Sequence, residues 1–256
     1  MLIVDSHVHM GRLDDSAPQR YEDIAPIFDE AGVTAAVCIS PVQEIYDRYD
    51  PDFVDTPAWQ ERRRQSREYL CSLKDKRHRI YPFYFVWNDF DTSGLDRYCG
   101  IKWHRHPDEP RYHYDDPACA RMIDAIRDRG FVVLLEEEWE NTVRFVDEFA
   151  PGVPVIIPHL GRLNGGVERF FREDFWRREN THADMSAADC QERDIQRYLE
   201  KYGPERMLFG SDYPFGSSVI SKEKIDALNL PEADRKLIFA DNILRLLKHT
   251  EQYEKP

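Results

Sequence analysis

The stretch Leu2-Ile3-Val4-Asp5-Ser6-His7-Val8-His9 is an apolar run that ends in two histidines one residue apart. On an extended backbone side chains repeat every second residue, so His7 and His9 point to one face and can hold one metal ion together. At the C-terminal end of the first strand of a barrel they would stand where such folds build their active sites. A lone His-x-His also fits a polar turn, so the choice depends on the rest of the chain.

Beyond His9 the chain alternates between helical and strand patterns. After a polar loop, Tyr21 to Ala31 carries apolar residues at helical spacing (Ile24, Ile27, Phe28, Ala31) and is closed by Gly32. Val33 to Ser40 is a second apolar strand ended by Pro41, and a loop rich in Asp, Tyr and Pro, long enough to cover a site, runs to Pro57. The pattern then predicts helix Ala58 to Lys76, strand Arg79 to Trp87, strand Cys99 to His104, a helix begun by Asp115-Asp116-Pro117 and ended by Gly130, and strand Phe131 to Glu136. Helix Asn141 to Phe149, strand Val153 to His159, helix Gly166 to Arg178, strand Thr181 to Met185, helix Gln191 to Tyr202, strand Arg206 to Asp212 and a helical tail from Lys222 to Lys248 complete it. With no break in composition, this alternation predicts one domain over residues 1–256, a (β/α)8 TIM barrel with a C-terminal helical tail. The rival, a doubly wound open sheet, lacks a Gly-rich phosphate loop after its first strand.

Composition narrows the partners. A net charge of -13 argues against nucleic acid or an anionic membrane surface, both of which would repel the chain at long range. No apolar run approaches the ~18 residues of a membrane span, and no charged leader with an apolar core opens the chain. The five cysteines are odd in number and form no CxxC pair, which argues against a disulfide framework or a cysteine zinc site. A cytoplasmic protein acting on a small molecule is expected, with homo-oligomerisation left open.

Placed on this map, the chemically capable residues gather at one rim: His7 and His9 end the first strand, Lys102 and His104 the fourth, Glu136 the fifth, His159 the sixth and Asp212 the eighth. In a barrel these ends converge on one mouth. Val132, Leu134 and Glu136 share a face, which favours Glu136 over Glu137 as the residue turned inward.

The stretches Val4-Asp5-Ser6-His7-Val8-His9, Gly100-Ile101-Lys102-Trp103-His104, Pro158-His159-Leu160-Gly161, Ala183-Asp184-Met185-Ser186 and Leu208-Phe209-Gly210-Ser211-Asp212-Tyr213-Pro214 together resemble the amidohydrolase superfamily, in its branch of metal-dependent hydrolases and zinc-dependent decarboxylases. The resemblance implies that His7, His9 and Asp212 bind metal and that His159 is a base or a ligand. It also implies a departure. The family usually ends strand five with a metal-binding histidine, and this chain has Glu136 there. Glutamate binds zinc and suits harder ions such as manganese, so Glu136 is expected as a further ligand; the other reading is an acid at the start of a helix.

The remaining residues keep two readings each. Lys102 is a partner for a substrate carboxylate or a structural ion pair, with carboxylation to bridge two metals a third option that the resemblance brings. His104, Arg105, His106 and Arg111 form a basic cluster that either receives an anionic substrate or is a solvated loop. Asp184 and Ser186 are expected behind the ligands. The function expected is a metal-dependent hydrolase of a small amide, ester or lactone, carboxylated substrates included, using one divalent ion, zinc before manganese, with Asp212 and His159 catalytic. The alternatives are a non-oxidative decarboxylase and a barrel that binds ligand without turnover.

Overall fold

The structure, a computed structural model, describes residues 1–13 and 19–247. Part of the polar loop expected after His9, and the expected end of the tail at Lys248, lie outside the described residues. Strands β1 (Val4–His9), β2 (Ala35–Ile39), β3 (Arg79–Phe85), β4 (Gly100–His104), β5 (Val132–Glu136), β6 (Val155–Ile157), β7 (Thr181–Asp184) and β8 (Met207–Leu208) form one parallel sheet in sequential order. Just beyond β8 the chain returns to β1: Ser6 N–H donates to Phe209 O (2.9 Å), Asp212 N–H to His7 O (2.8 Å) and His9 N–H to Tyr213 O (2.9 Å). The sheet is thereby bent into a nearly closed barrel with helices between its strands, the (β/α)8 arrangement expected.

Local sequence explains the helix ends. Helix α1 (Tyr21–Ala31) buries Ile24, Phe28 and Ala31 and stops at Gly32, whose φ of 73° is open to a residue without Cβ. Helix α2 (Pro57–Cys71) is capped by the Thr56 side chain, and helix α3 (Pro117–Arg129) by that of Asp116, with Pro first in each helix. Inside the barrel Val4, Val37, Phe83, Val132, Leu134, Ile156 and Leu208 form one buried cluster. A larger one, with Phe28, Trp103 and Trp176, lies between sheet and helices. Burying each such side chain stabilises by about 1.5–3 kcal/mol.

Several elements are shorter than their patterns predict, and backbone conformation gives the reason. The strand expected to reach His159 stops at Ile157, because His159 (φ 53°) and Leu160 (φ 52°) turn left-handed after Pro158. The strand expected to reach Asp212 ends at Leu208, and Asp212 itself has φ 57°. The helix expected over 166–178 divides into α4 (Val167–Arg172) and a 3-10 turn at Phe175–Arg177, separated by left-handed Asp174. The tail is broken between Ala227 and Glu232, where Asn229 is left-handed and Pro231 begins the next helix. Its last segment, Asn242–Leu247, lays Ile243, Leu246 and Leu247 against the inner cluster. Among the described residues no helix is long and apolar enough to cross a membrane.

Candidate metal centre

Three donor atoms meet at the mouth. His9 Nε2 lies 3.0 Å from Asp212 Oδ1, and His7 Nε2 lies 3.4 Å from the same oxygen. His7, His9 and Asp212 are close enough together, within 4.8 Å, to share one ion. The seam between β1 and β8 makes this meeting: the Asp212 N–H is tied to His7 O, and its left-handed backbone turns the carboxylate back over the imidazoles.

The opposite edge of His7 is held from behind. His7 Nδ1 is 3.1 Å from Asp184 Oδ2 and 3.2 Å from Ser186 Oγ. The carboxylate fixes the proton on Nδ1 and leaves Nε2 as a lone pair, the usual support of a metal-binding histidine. That Nε2 is buried and has no hydrogen-bond partner. A buried, orphaned imidazole nitrogen beside a second imidazole and a carboxylate is what a divalent ion would satisfy, so the donor set fits the group.

The same support reaches His159. Its N–H donates to Asp184 Oδ1 (2.9 Å), its Nδ1 lies 2.9 Å from Ser186 Oγ, and its Nε2 is 3.8 Å from Asp212 Oδ2. The His7 and His159 rings stack at 5.3 Å. Asp184 and Ser186 thus stand behind His7 and His159, and one carboxylate contacts both residues.

Electrostatics keep the charges apart. Burial pushes the Asp212 carboxyl up, but His7, His9 and His159 overcome it and bring it down to about 2. Burial lowers His9 to about 4, so its imidazole is neutral near pH 7 and free to bind metal. For His7 burial also lowers, yet Asp212 and Asp184 together raise it.

Glu136 lies elsewhere. The register of β4 against β5 pairs His104 with Glu136, and the Glu136 oxygens engage Lys102 Nζ (2.8 Å) and His106 Nε2 (2.7 Å). It shares the mouth cavity with His9, His104, His106, His159 and Asp212, but it is not in the group formed by His7, His9 and Asp212. Lys102 is fully buried beneath it. Arg105 is buried too, its guanidinium stacked on Tyr112, Tyr46 and Trp87, and it lines a neighbouring cavity together with Arg111. Of the basic cluster, His104 and His106 face the mouth.

Sequence reasoning missed Arg48, Tyr46 and Glu109. The Tyr46 hydroxyl donates to Glu109 Oε2 (2.5 Å), and Arg48 Nη2 lies 2.8 Å from Glu109 Oε1. They stand on loops, where no periodicity points to a face; the repeat of His-x-His at His104-Arg105-His106 was the available signal.

The family model described as Amidohydrolase matches residues 4–248, and the chain belongs to the amidohydrolase family. No curated protein matches it. Among solved structures it is similar to one from Pseudomonas putida assigned as a 2-pyrone-4,6-dicarboxylic acid hydrolase, at 16% identity, TM-score 0.72, covering 100% of this chain and 99% of that one. It is also similar to an amidohydrolase from Burkholderia multivorans with bound zinc (15% identity, TM-score 0.69, 97% and 99% covered). A third is a dihydroxybenzoic acid decarboxylase from Polaromonas sp. JS666 with bound manganese and the inhibitor 2-nitroresorcinol (13% identity, TM-score 0.67, 96% and 97% covered). At these identities the likeness is one of fold.

Proposed function

We propose that this chain is a metal-dependent hydrolase of a small amide, ester or lactone. The observation that carries the reading is the ionised Asp212 carboxylate, which turns one oxygen to His7 and His9 and the other toward His159 at the floor of an open cavity. His7, His9 and Asp212 would hold the ion; nitrogen and oxygen donors suit zinc and admit manganese. When bound, a divalent ion supplies a Lewis acid and brings the pKa of water from 15.7 to about 7.

The chain's own groups then have distinct tasks. Asp212 accepts the proton of the attacking water, since its carboxylate is ionised over the working range. His159 stands next to the second Asp212 oxygen, and its Nε2 receives or returns that proton to the leaving group. Asp184 keeps both His7 and His159 in register while this happens. Val42, Leu163 and Phe215 supply an apolar wall to hold the body of the substrate, and His104 and His106 the polar wall opposite.

One observation favours decarboxylation as a second reading. His106 stands at the cavity wall beside Glu136, whose charge Lys102 offsets from beneath, a setting in which a substrate carboxylate can approach His106. The deciding experiment assays lactones, esters, amides and aromatic carboxylates with metal-free protein and after addition of zinc or manganese. Metal-dependent release of acid from a lactone, ester or amide supports hydrolysis; release of carbon dioxide supports the second reading. Binding without turnover across the panel would refute both.

A further inference from the structure

The two His-x-His pairs of this chain are built alike. In the first, His7 and His9 turn to the Asp212 carboxylate while Asp184 holds His7 from behind. In the second, His104 Nδ1 lies 3.4 Å from Glu109 Oε2 and His106 Nδ1 lies 3.6 Å from Glu109 Oε1, while Glu136 stands behind both rings. His106 Nε2 is 2.7 Å from Glu136 Oε1 and His104 Nε2 is 3.4 Å from it. An ionised carboxylate only accepts, so the His106 proton belongs on Nε2 and a lone pair is left on Nδ1. Lys102 balances the charge of Glu136.

From this geometry we propose a second divalent-cation site, held by His104, His106 and Glu109, on the other wall of the mouth. The 3.4 and 3.6 Å spacings run to different oxygens of Glu109, one to each imidazole, so the carboxylate spans the two rings; Oε2 also accepts from Tyr46 and from the His106 backbone N–H, which leaves Oε1 as the oxygen for the ion. One donor atom from each of the three lies within 4.8 Å of the others, and none of the three belongs to the first site. His104 and Glu109 are buried and His106 partly so, with His104 and His106 lining the cavity through which an ion would enter. Glu109 Oε1 is buried and accepts no well-aligned hydrogen bond.

Positive charge already stands at this point. Arg48 Nη2 lies 2.8 Å from Glu109 Oε1 and 3.3 Å from the His106 Nδ1 lone pair, on a side chain about a quarter exposed. The guanidinium and the ion compete for one place, and Arg48 must swing toward solvent for the ion to enter. The second site is therefore the weaker of the two in the native protein. Tyr46, which donates to Glu109 Oε2, keeps the carboxylate facing the imidazoles in either state.

The test is metal stoichiometry of the full chain, stripped with a chelator, titrated with zinc by calorimetry and checked by elemental analysis after gel filtration. The native protein is expected to take a second, weaker equivalent. Arg48→Met should tighten that equivalent at least tenfold, a gain that misfolding cannot produce. His106→Ala and Glu109→Gln should lose it and keep the first equivalent, whereas His9→Ala should lose the first and keep the second, so failure of the first site does not hide the result. No second equivalent in Arg48→Met, or one that survives His106→Ala, would overturn the proposal.

Discussion

Replacing Asp184 by asparagine separates the work of the group behind His7 and His159 from that of the residues proposed to hold the ion. In the native protein Oδ1 accepts from the N–H groups of His159 and Ser186, both at 2.9 Å, and Oδ2 faces His7 Nδ1 at 3.1 Å. The amide oxygen of Asp184→Asn can keep the two backbone bonds, but its NH2 then meets the N–H of His7. One charged hydrogen bond is lost, about 1.5–3 kcal/mol. His7 must turn its proton to Nε2, where the ion would bind. At about 1.4 kcal/mol per factor of ten, metal affinity falls roughly 10- to 150-fold. Chelator competition with zinc measures this directly. Nuclear magnetic resonance of the metal-free protein gives a second reading, since loss of the Asp184 charge must lower the His7 pKa, which Asp212 and Asp184 raise. Unchanged zinc affinity together with an unchanged His7 titration would refute the role given to Asp184.

Asp212→Asn should keep the fold, because asparagine accepts the left-handed backbone at φ 57°, and should cut turnover by at least ~100-fold; near-native turnover would remove Asp212 from the chemistry. Gly161→Ala should cost about 2–5 kcal/mol in urea denaturation, from a left-handed alanine plus a Cβ placed 2.7 Å from Phe170 Cζ, and should disturb His159 two residues earlier; an unchanged midpoint would contradict the packing. His182, brought down to about 4 by burial and Arg206, has a folded pKa below its unfolded value, so its contribution to stability is complete above about pH 6.5 and is lost as pH falls through about 4. Urea midpoints measured from pH 7 to 4.5 should therefore fall less steeply in His182→Leu, and parallel curves would show that His182 does not drive the loss.

The rim is legible in the sequence because strand ends are local events. An apolar run followed by a polar residue marks His7, His9, Lys102, His104 and Glu136 at their strands' C-terminal ends, and Gly32 and Gly130 mark helix ends through their left-handed backbones. Periodicity does not carry the azimuth around the mouth. Alternation turns Glu136 inward, and the resemblance suggests it beside His7 and His9; register sets it against His104, and Lys102 and His106 engage its oxygens. His159 and Asp212 have the pattern of strand residues; their left-handed conformations are set by tertiary hydrogen bonds to Asp184 and His7, which leave no local signature. Asp184 and Ser186 stand where the apolar pattern of their strand places them.

The seam between β1 and β8 also sets when the site can exist during synthesis. His9 and Asp212 are 203 residues apart, and the hydrogen bonds that bring them together are also those that close the barrel. A nascent chain stopped before Met207 has seven of its strands but neither Asp212 nor the closing seam. Such non-local pairing is slow because loop closure must precede it. The site therefore assembles only after Asp212 has left the ribosome, and a product cut short before it exposes an open sheet edge to quality control in place of a competent centre.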